Sequence, residues 1–552
     1  MAHPMFEKHH ELLEFAVAAV ESRTYWSAYS ENPRAYGEQG VEDGRAALEA
    51  YRGAQFYLDQ PGVVGRMGAE ESPYGLKLHV SYPACSPDAL IGAARTAMAH
   101  WVKAGADTRA GACLEILSRL NAGSMEIAYA VMHTTGQPFT MAFQEGGPHA
   151  QERGLEAVAI AYSEMKRVPE SVLWEKSQGK SPMLRMQKDY HLVPRGIGLV
   201  IACATSPTWS SYPGLFASLV TGNPVIIKPH PAAILPLAIT VATARQTLKE
   251  AGFDPNLVSL LVDDVSAPVA RDIALKEDIS IIDYAGGSEF GEWLEEHARH
   301  ALLYTQKSGA SVAIIDSTDD YKGMLRNIAF SISLYSGQTV AKPQNIFVSR
   351  DGVRTPEATI SVEQFGRDLG FVLGKLIEEP SRVVEILGAI QSPATLARMD
   401  ALRGQGEVIR ESTALAHPQW PTARVCSPVL IKVLMRDELV FAPECFGPVG
   451  FVIETPSTPM ALATAERLMR LHGAHALSIY STNPVVLQLA EEAALRAGVA
   501  LSINLVGGVL VNQSAAFSDI HGTGTNPSGN ASLTGAAFVT SRFAVVQSGR
   551  YL

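Results

Sequence analysis

The stretch 198-GLVIACATSPTWSSYPGLFASLVTGNPVIIKPHPAAILPLA-238 decides the architecture. GLVIACA (198–204) and PVIIK (224–228) are apolar runs of strand length without polar alternation, the pattern of strands buried on both faces. Two further runs, LVSLLV (257–262) and ISIIDYA (279–285), continue the series, and helices fit between them. The best defined has Pro236 in its first turn, apolar residues at Leu237, Val241, Ala244, Leu248 and Ala251, and Gly252 as a left-handed cap. Buried strands alternating with amphipathic helices predict an α/β fold with a parallel sheet covered on both faces. Such sheets bind ligands beyond the carboxyl ends of their strands.

Downstream, SVAIID (311–316), PQNIFVS (343–349), PVLIKVL (428–434) and ALSIYS (476–481) predict a second α/β lobe. Upstream, residues 171 to 198 read as strand pieces around a Gly-Lys-Ser turn, too polar for a central position, and predict a hairpin arm. Helical patterns between about 88 and 168 (Ala89, Ile91, Ala94 and Ala97, then Leu114, Ile116, Leu117 and Leu120) predict covering helices. Residues 1 to 75 read as an extension draped over the larger body.

At 552 residues the chain exceeds one core, and 47% hydrophobic with 18% charged residues suits a large globular enzyme. A net charge of −11 argues against nucleic acid or an anionic membrane as the main partner. Cys85, Cys113, Cys203, Cys426 and Cys445 form no CxxC pair or zinc-like spacing, which predicts reduced thiols and a cytoplasmic setting. The first residues read as an amphipathic helix rather than a signal peptide, and no run reaches the roughly 20 apolar residues of a membrane span. His9 and His10 lack metal-ligand spacing, so no metal site is expected.

The segment around Trp209 resembles the aldehyde dehydrogenase superfamily: a strand, a Trp and a Pro before a helix, Gly-Asn-Pro, a second strand, then Lys-Pro. GGSEFG (286–291) and ECFGPV (444–449) match two further motifs in order. VMHTTGQPFTMAFQEGGPHAQERGLEAV, STDDYKGML, SLYSGQ, PQNIFVSRDGV and HGTGTNPSGNASLTGAAFV are similar to the phenylacetic acid degradation proteins, the PaaN-type branch, over nearly the whole chain. The resemblance implies two α/β lobes with an oligomerisation arm. The division is an N-terminal extension (1–75), a dinucleotide-binding domain (76–305, arm about 171–198), a catalytic-type domain (306–500) and a return segment with oligomerisation tail (501–552).

It also implies NAD or NADP as cofactor and an aldehyde, a ring-opened CoA-linked semialdehyde, as substrate. The cofactor positions are Trp209, Lys228, Pro231, Gly286, Gly287, Gly291, Glu444 and Phe446. Lys228 leaves the second strand where an ammonium can meet ribose hydroxyls or a 2′-phosphate, although a solvated lysine at a strand end reads the same way. The glycines stand where a strand enters a helix, so a close backbone approach to phosphate is expected, with helix packing the alternative. Glu444 is placed to accept from ribose hydroxyls or to cap its own loop. Pro231 brings no carboxylate, so NADP is expected to be tolerated at least as well as NAD.

The family's chemistry needs a thiolate, an oxyanion amide and a carboxylate base. The implied thiol position is Val340 in SLYSGQTVAKPQ, the asparagine position after Trp209 is Ser210, and the glutamate position is Gln306 in LLYTQKSGAS. Loss of cysteine-dependent dehydrogenase activity follows. Thr339, Cys203 and Cys445 are weak substitute nucleophiles, while His149 and His521, in Gly-rich loops expected to face substrate, are candidates for proton transfer. Two alternatives stand: a non-redox enzyme that handles or cyclises the reactive semialdehyde, and a non-catalytic subunit of an active dehydrogenase. A homo-oligomer, dimer or tetramer, is expected because arm and tail carry strand-forming residues without a partner in their own lobe.

Overall fold

The protein is described by a computed structural model covering residues 3–68, 70–509 and 515–552. The decisive stretch folds as the apolar pattern predicts. Strands β1 (Ile197–Ile201), β2 (Val225–Lys228), β3 (Val258–Leu260), β4 (Ile279–Gly286) and β5 (Leu302–Lys307) form one parallel sheet in the order β3-β2-β1-β4-β5. Every residue of β1 and β2 is buried, hence their lack of alternation. Strand β5 is the one this part of the sequence conceals. It is a half-buried edge whose Tyr, Thr, Gln and Lys break the apolar run.

Helices α1 (Ser124–Thr135), α2 (Phe139–Gln144), α3 (Ala150–Lys166), α4 (Pro207–Val220), α5 (Leu235–Glu250) and α6 (Ser288–His297) cover or bound this sheet. Helix α5 carries its proline in the first turn, and Gly252 beyond its end has φ +80°. The order of strands reverses between β1 and β4, which puts the carboxyl ends of β1, β2 and β4 and the N-termini of α4 and α6 around one crevice.

The second sheet contains β6 (Ser311–Ile315), β7 (Pro343–Ser349), β8 (Glu407–Arg410), β9 (Val429–Leu434), β10 (Val449–Thr455), β11 (Ala476–Tyr480) and β12 (Ala500–Ile503), ordered β8-β9-β10-β7-β6-β11-β12. All neighbours are parallel except β8 with β9. Four of these strands match the sequence reading. β8 and β12 are short, partly exposed edges, and β10 is hidden behind the ECFGPV motif that runs into it.

The arm is a hairpin of Ser171–Gln178 and Ser181–Pro194. One expectation is corrected here: the tail does have a partner in its own chain. Strand Phe543–Tyr551 pairs antiparallel with the second arm strand, from Phe543 opposite Pro194 to Tyr551 opposite Met186. It is anchored at its base by Arg542, which is fully buried and forks onto Asp283 at 2.6 and 2.9 Å while bonding the Ser218 hydroxyl at 2.6 Å. Its guanidinium lies 4.2 Å from the Phe538 ring centroid and 4.8 Å from that of Tyr304. Gly214 makes room for the pair, since a Cβ there would stand 2.5 Å from the Asp283 carboxyl carbon.

The N-terminal helix Pro4–Ser22 packs Leu13, Ala16 and Ala19 against the body. Lys8 and His9 both reach Glu115 at 2.7 Å. The extension is thus stitched to the covering helices.

Candidate active site

From Ile201 the chain leaves β1 through Ala202–Ser206 and enters α4 at Pro207, so Trp209 and Ser210 fall in its first turn. Trp209 is committed to side-chain packing. His521 stands edge-on to it, centroids 4.5 Å apart, and the Arg153 guanidinium lies 5.7 Å from its ring centre.

His521 also meets Gln306, with their Nε2 atoms 2.7 Å apart. The amide donates and the ring nitrogen accepts, which requires neutral imidazole. Burial first, and then the Arg153 and His475 charges, hold His521 far below the usual histidine range. The structure brings His521 to the site as a neutral acceptor rather than as a group that titrates near neutrality. His149 pairs with the N-terminal extension. Its Nε2 lies 2.9 Å from Glu31, with the side chain partly exposed.

Gln306 stands on β5 between two hollows. With Ser210, Asp283, Tyr284 and Tyr304 it lines a small hollow. With Thr305, His475 and His521 it lines a solvent-open cleft. The Gln306 Oε1 atom is buried without a hydrogen-bond partner among the described residues.

Val340 follows a turn in which Tyr335, Ser336 and Gly337 take φ values of 50°, 50° and 62°. Two non-glycine residues in the left-handed region are strained and must be held from outside. Tyr335 donates to the Thr135 carbonyl at 2.6 Å and Ser336 to that of Leu387 at 3.0 Å. Gln338 donates to Ala389 at 3.0 Å and accepts from the Gln391 amide at 2.9 Å. The turn ends in a valine with nothing to offer as a nucleophile, and its carbonyl accepts from Ser311 at 2.9 Å. The Thr339 hydroxyl oxygen is buried without a partner among the described residues.

Glu444 accepts from the Gly309 amide at 3.4 Å, and burial raises its pKa, partly offset by the Ser308 hydroxyl and Lys342. The buried Lys342 ammonium donates to the carbonyls of Cys445, Gly447 and Val449 at 2.9 to 3.1 Å, and burial pushes it down to about 8. Phe446 is half-buried beside it, its carbonyl accepting from Arg398.

Lys228 is not the solvated lysine that one of the two sequence readings allows. Its ammonium lies 2.7 Å from Asp263, which follows β3, and the side chains are 7% and 1% exposed. Burial lowers the Lys228 pKa and Asp263 only partly restores it. The second Asp263 oxygen accepts from the Val269 amide at 3.0 Å. Burial and Lys228 hold His230 down to about 4. Pro231 brings no charge, and Asp263, just beyond the neighbouring strand, sets a carboxylate beside Lys228. The only sequence signal was the Asp pair ending LLVDD.

The three glycines separate by role. A Cβ on Gly287, which caps α6, would meet nothing within 4 Å, so the helix N-terminus opens onto free space suited to an anion. On Gly286 a Cβ would strike the Tyr284 hydroxyl, and on Gly291 the Lys307 chain, each at 2.4 Å, which makes these two packing glycines. Four of the five cysteines are buried. Cys203 is partly exposed, with Sγ 3.6 Å from the Ser210 hydroxyl.

Glu145 escaped the sequence reading. It heads a π-helical turn, Glu145–His149, between α2 and α3. The Gln137 amide donates to it and also to the Thr205 carbonyl at 2.9 Å. Burial raises this carboxyl to about 7 against the lowering effect of Ser206, His149 and Gln137. Among the described residues no cluster of three metal-ligating side chains occurs, and no helix is long and apolar enough to cross a membrane.

The model of the aldehyde dehydrogenase family matches residues 81–539. A solved structure described as an NAD-dependent aldehyde dehydrogenase from Burkholderia multivorans is 53% identical and superposes with a TM-score of 0.98 over 100% of both chains. A 1-pyrroline-5-carboxylate dehydrogenase from Thermus with bound NAD shares the fold at 16% identity, with a TM-score of 0.73 over 93% of this chain and 96% of that one. The N-succinylglutamate 5-semialdehyde dehydrogenase of Burkholderia lata is 24% identical over 326 residues, 55% of this chain and 63% of that protein, so the match spans less than two thirds of its length. The 4,4'-diapolycopene-4,4'-dial dehydrogenase of Cytobacillus firmus is 24% identical over 357 residues, 63% of this chain and 72% of that one.

Proposed function

The chain belongs to the aldehyde dehydrogenase family, and from that premise we propose that it binds a nicotinamide dinucleotide and an aldehyde without oxidising the aldehyde through a cysteine adduct. The observation that carries this reading is the pairing of Val340 at the end of a fully built presenting turn with Gln306 bonded to a neutral His521. Valine forms no thiohemiacetal, and a glutamine amide takes up no proton.

The donor set of the crevice fits a dinucleotide. The α6 N-terminus at Gly287 suits the pyrophosphate, Glu444 a ribose, and the Lys228–Asp263 pair the adenosine ribose hydroxyls. A bound nicotinamide dinucleotide would supply a hydride acceptor. A relative named as NAD-dependent supports NAD as the dinucleotide, and so does the Asp263 carboxylate.

For the substrate we propose an aldehyde, and more finely the CoA-linked semialdehyde implied by the phenylacetic acid degradation branch. The names of the two curated relatives, a semialdehyde and a dial dehydrogenase, support an aldehyde substrate. The second reading is a non-redox enzyme acting on that aldehyde. It is favoured by a hollow lined by Ser210 and Gln306 at the positions where oxidative groups are missing. A cytoplasmic homo-oligomer completes the proposal.

The test follows NADH or NADPH at 340 nm with 6-oxohexanoyl-CoA as aldehyde, alongside calorimetric titration of NAD and NADP. Saturable dinucleotide binding with no reduction is expected. Robust reduction abolished by thiol alkylation would show that a remaining cysteine has taken over and would sink the proposal.

A further inference from the structure

We propose that Gln344, with Lys342 beside it, is a positioning residue of the dinucleotide site, holding the loop of Glu444 so that its carboxylate meets the nicotinamide-side ribose. The inference rests on the reading above, in that Glu444 accepts from a ribose of the bound dinucleotide.

Glu444 belongs to the loop 442–448, between the short helix Glu438–Phe441 and β10. The loop lies outside both elements, so its buried peptide groups have to find partners elsewhere. They find them on one short run of chain. Lys342 and Gln344 stand two apart where the chain enters β7, and alternate residues of an extended run share a face. Both side chains are buried.

Gln344 takes the two peptide planes that flank Glu444. Its Nε2 donates to the Pro443 carbonyl at 3.0 Å, and its Oε1 accepts from the Cys445 amide at 2.6 Å. The first bond fixes the plane before Glu444 and the second the plane after it, which sets the direction from which the carboxylate projects. The same Nε2 also donates to the Phe441 carbonyl at 3.0 Å, where Asn345 donates too. Lys342 holds the continuation. An ammonium has three N–H groups, and the carbonyls of Cys445, Gly447 and Val449 accept from this one at 3.0, 2.9 and 3.1 Å. Neighbours close the loop in from outside. A Cβ on Gly447 would stand 2.5 Å from the Thr395 side chain, and one on Gly337, in the left-handed turn that leads to Val340, 2.5 Å from the Gly447 carbonyl oxygen.

The bonds leave Glu444 beside the N-terminus of α6. Its carboxylate accepts from the Gly309 amide at 3.4 Å and from the Ser308 hydroxyl, and the Ser308 Oγ lies 3.1 Å from that of Ser288, the first residue of α6 and the neighbour of Gly287. Two hydroxyls thus connect the carboxylate to the helix end that suits the pyrophosphate. A contact of 3.4 Å is at the long end for a hydrogen bond, so the Gly309 amide holds the carboxylate weakly and leaves it able to accept from a ligand. With its tip loosely held, the side chain takes its direction from the backbone, which is what Gln344 fixes.

Calorimetry with NAD and with ADP separates positioning from general support, because ADP carries the adenosine and the pyrophosphate but not the second ribose. The full chain is compared with its Gln344→Met, Lys342→Met and Glu444→Gln variants. Gln344→Met is expected to weaken NAD binding about tenfold, as Glu444→Gln does, while the Kd for ADP stays within about twofold of the parent. Lys342→Met should weaken NAD in the same direction. Gln344→Met combined with Glu444→Gln should bind NAD no more weakly than Glu444→Gln alone, since both act through one carboxylate. In the parent, the Cys445 amide is expected to resist hydrogen exchange before any ligand is added, a measurement that does not depend on a variant folding. Unchanged NAD affinity in Gln344→Met, equal losses for NAD and ADP, or a Cys445 amide protected only once NAD is bound overturns the proposal. If Glu444→Gln binds NAD as tightly as the parent, the assignment of Glu444 to a ribose fails first, and the proposal with it.

Discussion

At the residue scale the decisive facts are single substitutions and single partners. Asp263 is the clearest, because two unit charges about 5 Å apart at an effective dielectric of 20 interact by about 3 kcal/mol. A 2′-phosphate near the Lys228–Asp263 pair meets that repulsion, while NAD offers hydroxyls that a carboxylate accepts from. Asp263→Asn is expected to narrow the preference for NAD over NADP by about tenfold or more in calorimetric Kd values, since it deletes the charge and frees Lys228 for phosphate. An unchanged ratio would show that another group reads the ribose. On the proposed reading Val340, Gln306 and Ser210 stand where the family's catalytic groups act as a unit, which carries a second prediction. Val340→Cys alone supplies sulfur, but Gln306 still takes up no proton and Ser210 still leaves an oxyanion short of a donor, a loss of about 3 kcal/mol. Only Val340→Cys with Gln306→Glu and Ser210→Asn is expected to give measurable aldehyde-dependent NADH formation. Activity from the single cysteine variant would refute the need for all three.

At the scale of elements, Arg542 ties the last strand to the first sheet, and its loss is expected to be costly. Removing one partner of a buried, forked ion pair strands the other charge, so Arg542→Ala should cost about 3 to 5 kcal/mol in urea unfolding. A cost under about 1 kcal/mol would mean that the pair is relaxed in solution. Arg542 was invisible in the sequence because its partner lies some 260 positions away, and nothing local marks either residue. The same physics sorts the strands. β1, β2 and β7 were legible because they are buried on both faces, whereas β5, β8 and β12 sit at edges and carry polar residues. Motifs pointed to Lys228, Gly287, Gln306 and Glu444, and the Gly-rich loop to His521, but no motif pointed to Asp263 as the partner of Lys228. Glu145 was missed because a carboxylate beside two glycines reads as a solvated loop, and only tertiary packing buries it.

For the whole molecule the open question is what covers the three-stranded sheet of arm and tail. Its outer strands are Ser171–Gln178 and Phe543–Tyr551, and in the latter every residue after Phe543 is exposed. Leu173, Val545 and Val546 present apolar side chains at 57%, 45% and 51% exposure. A small sheet with neither face packed has no core of its own and is marginal in water. An edge carrying unpaired amides and carbonyls is a template for another strand. Pairing of the tail with its own arm settles the inner edges only, and on the proposed reading a second copy covers an outer edge or one of the two faces, Leu173 and Val546 lying on one and Val545 on the other. The full chain is therefore expected to run as a dimer or tetramer by light scattering at micromolar concentration. Val546→Lys, which puts a charge on the face shared with Leu173 and outside both hollows, should shift it toward monomer while leaving the calorimetric Kd for NAD unchanged. A parent that is monomeric at that concentration would end the argument. A variant that stays assembled would move the interface away from this sheet.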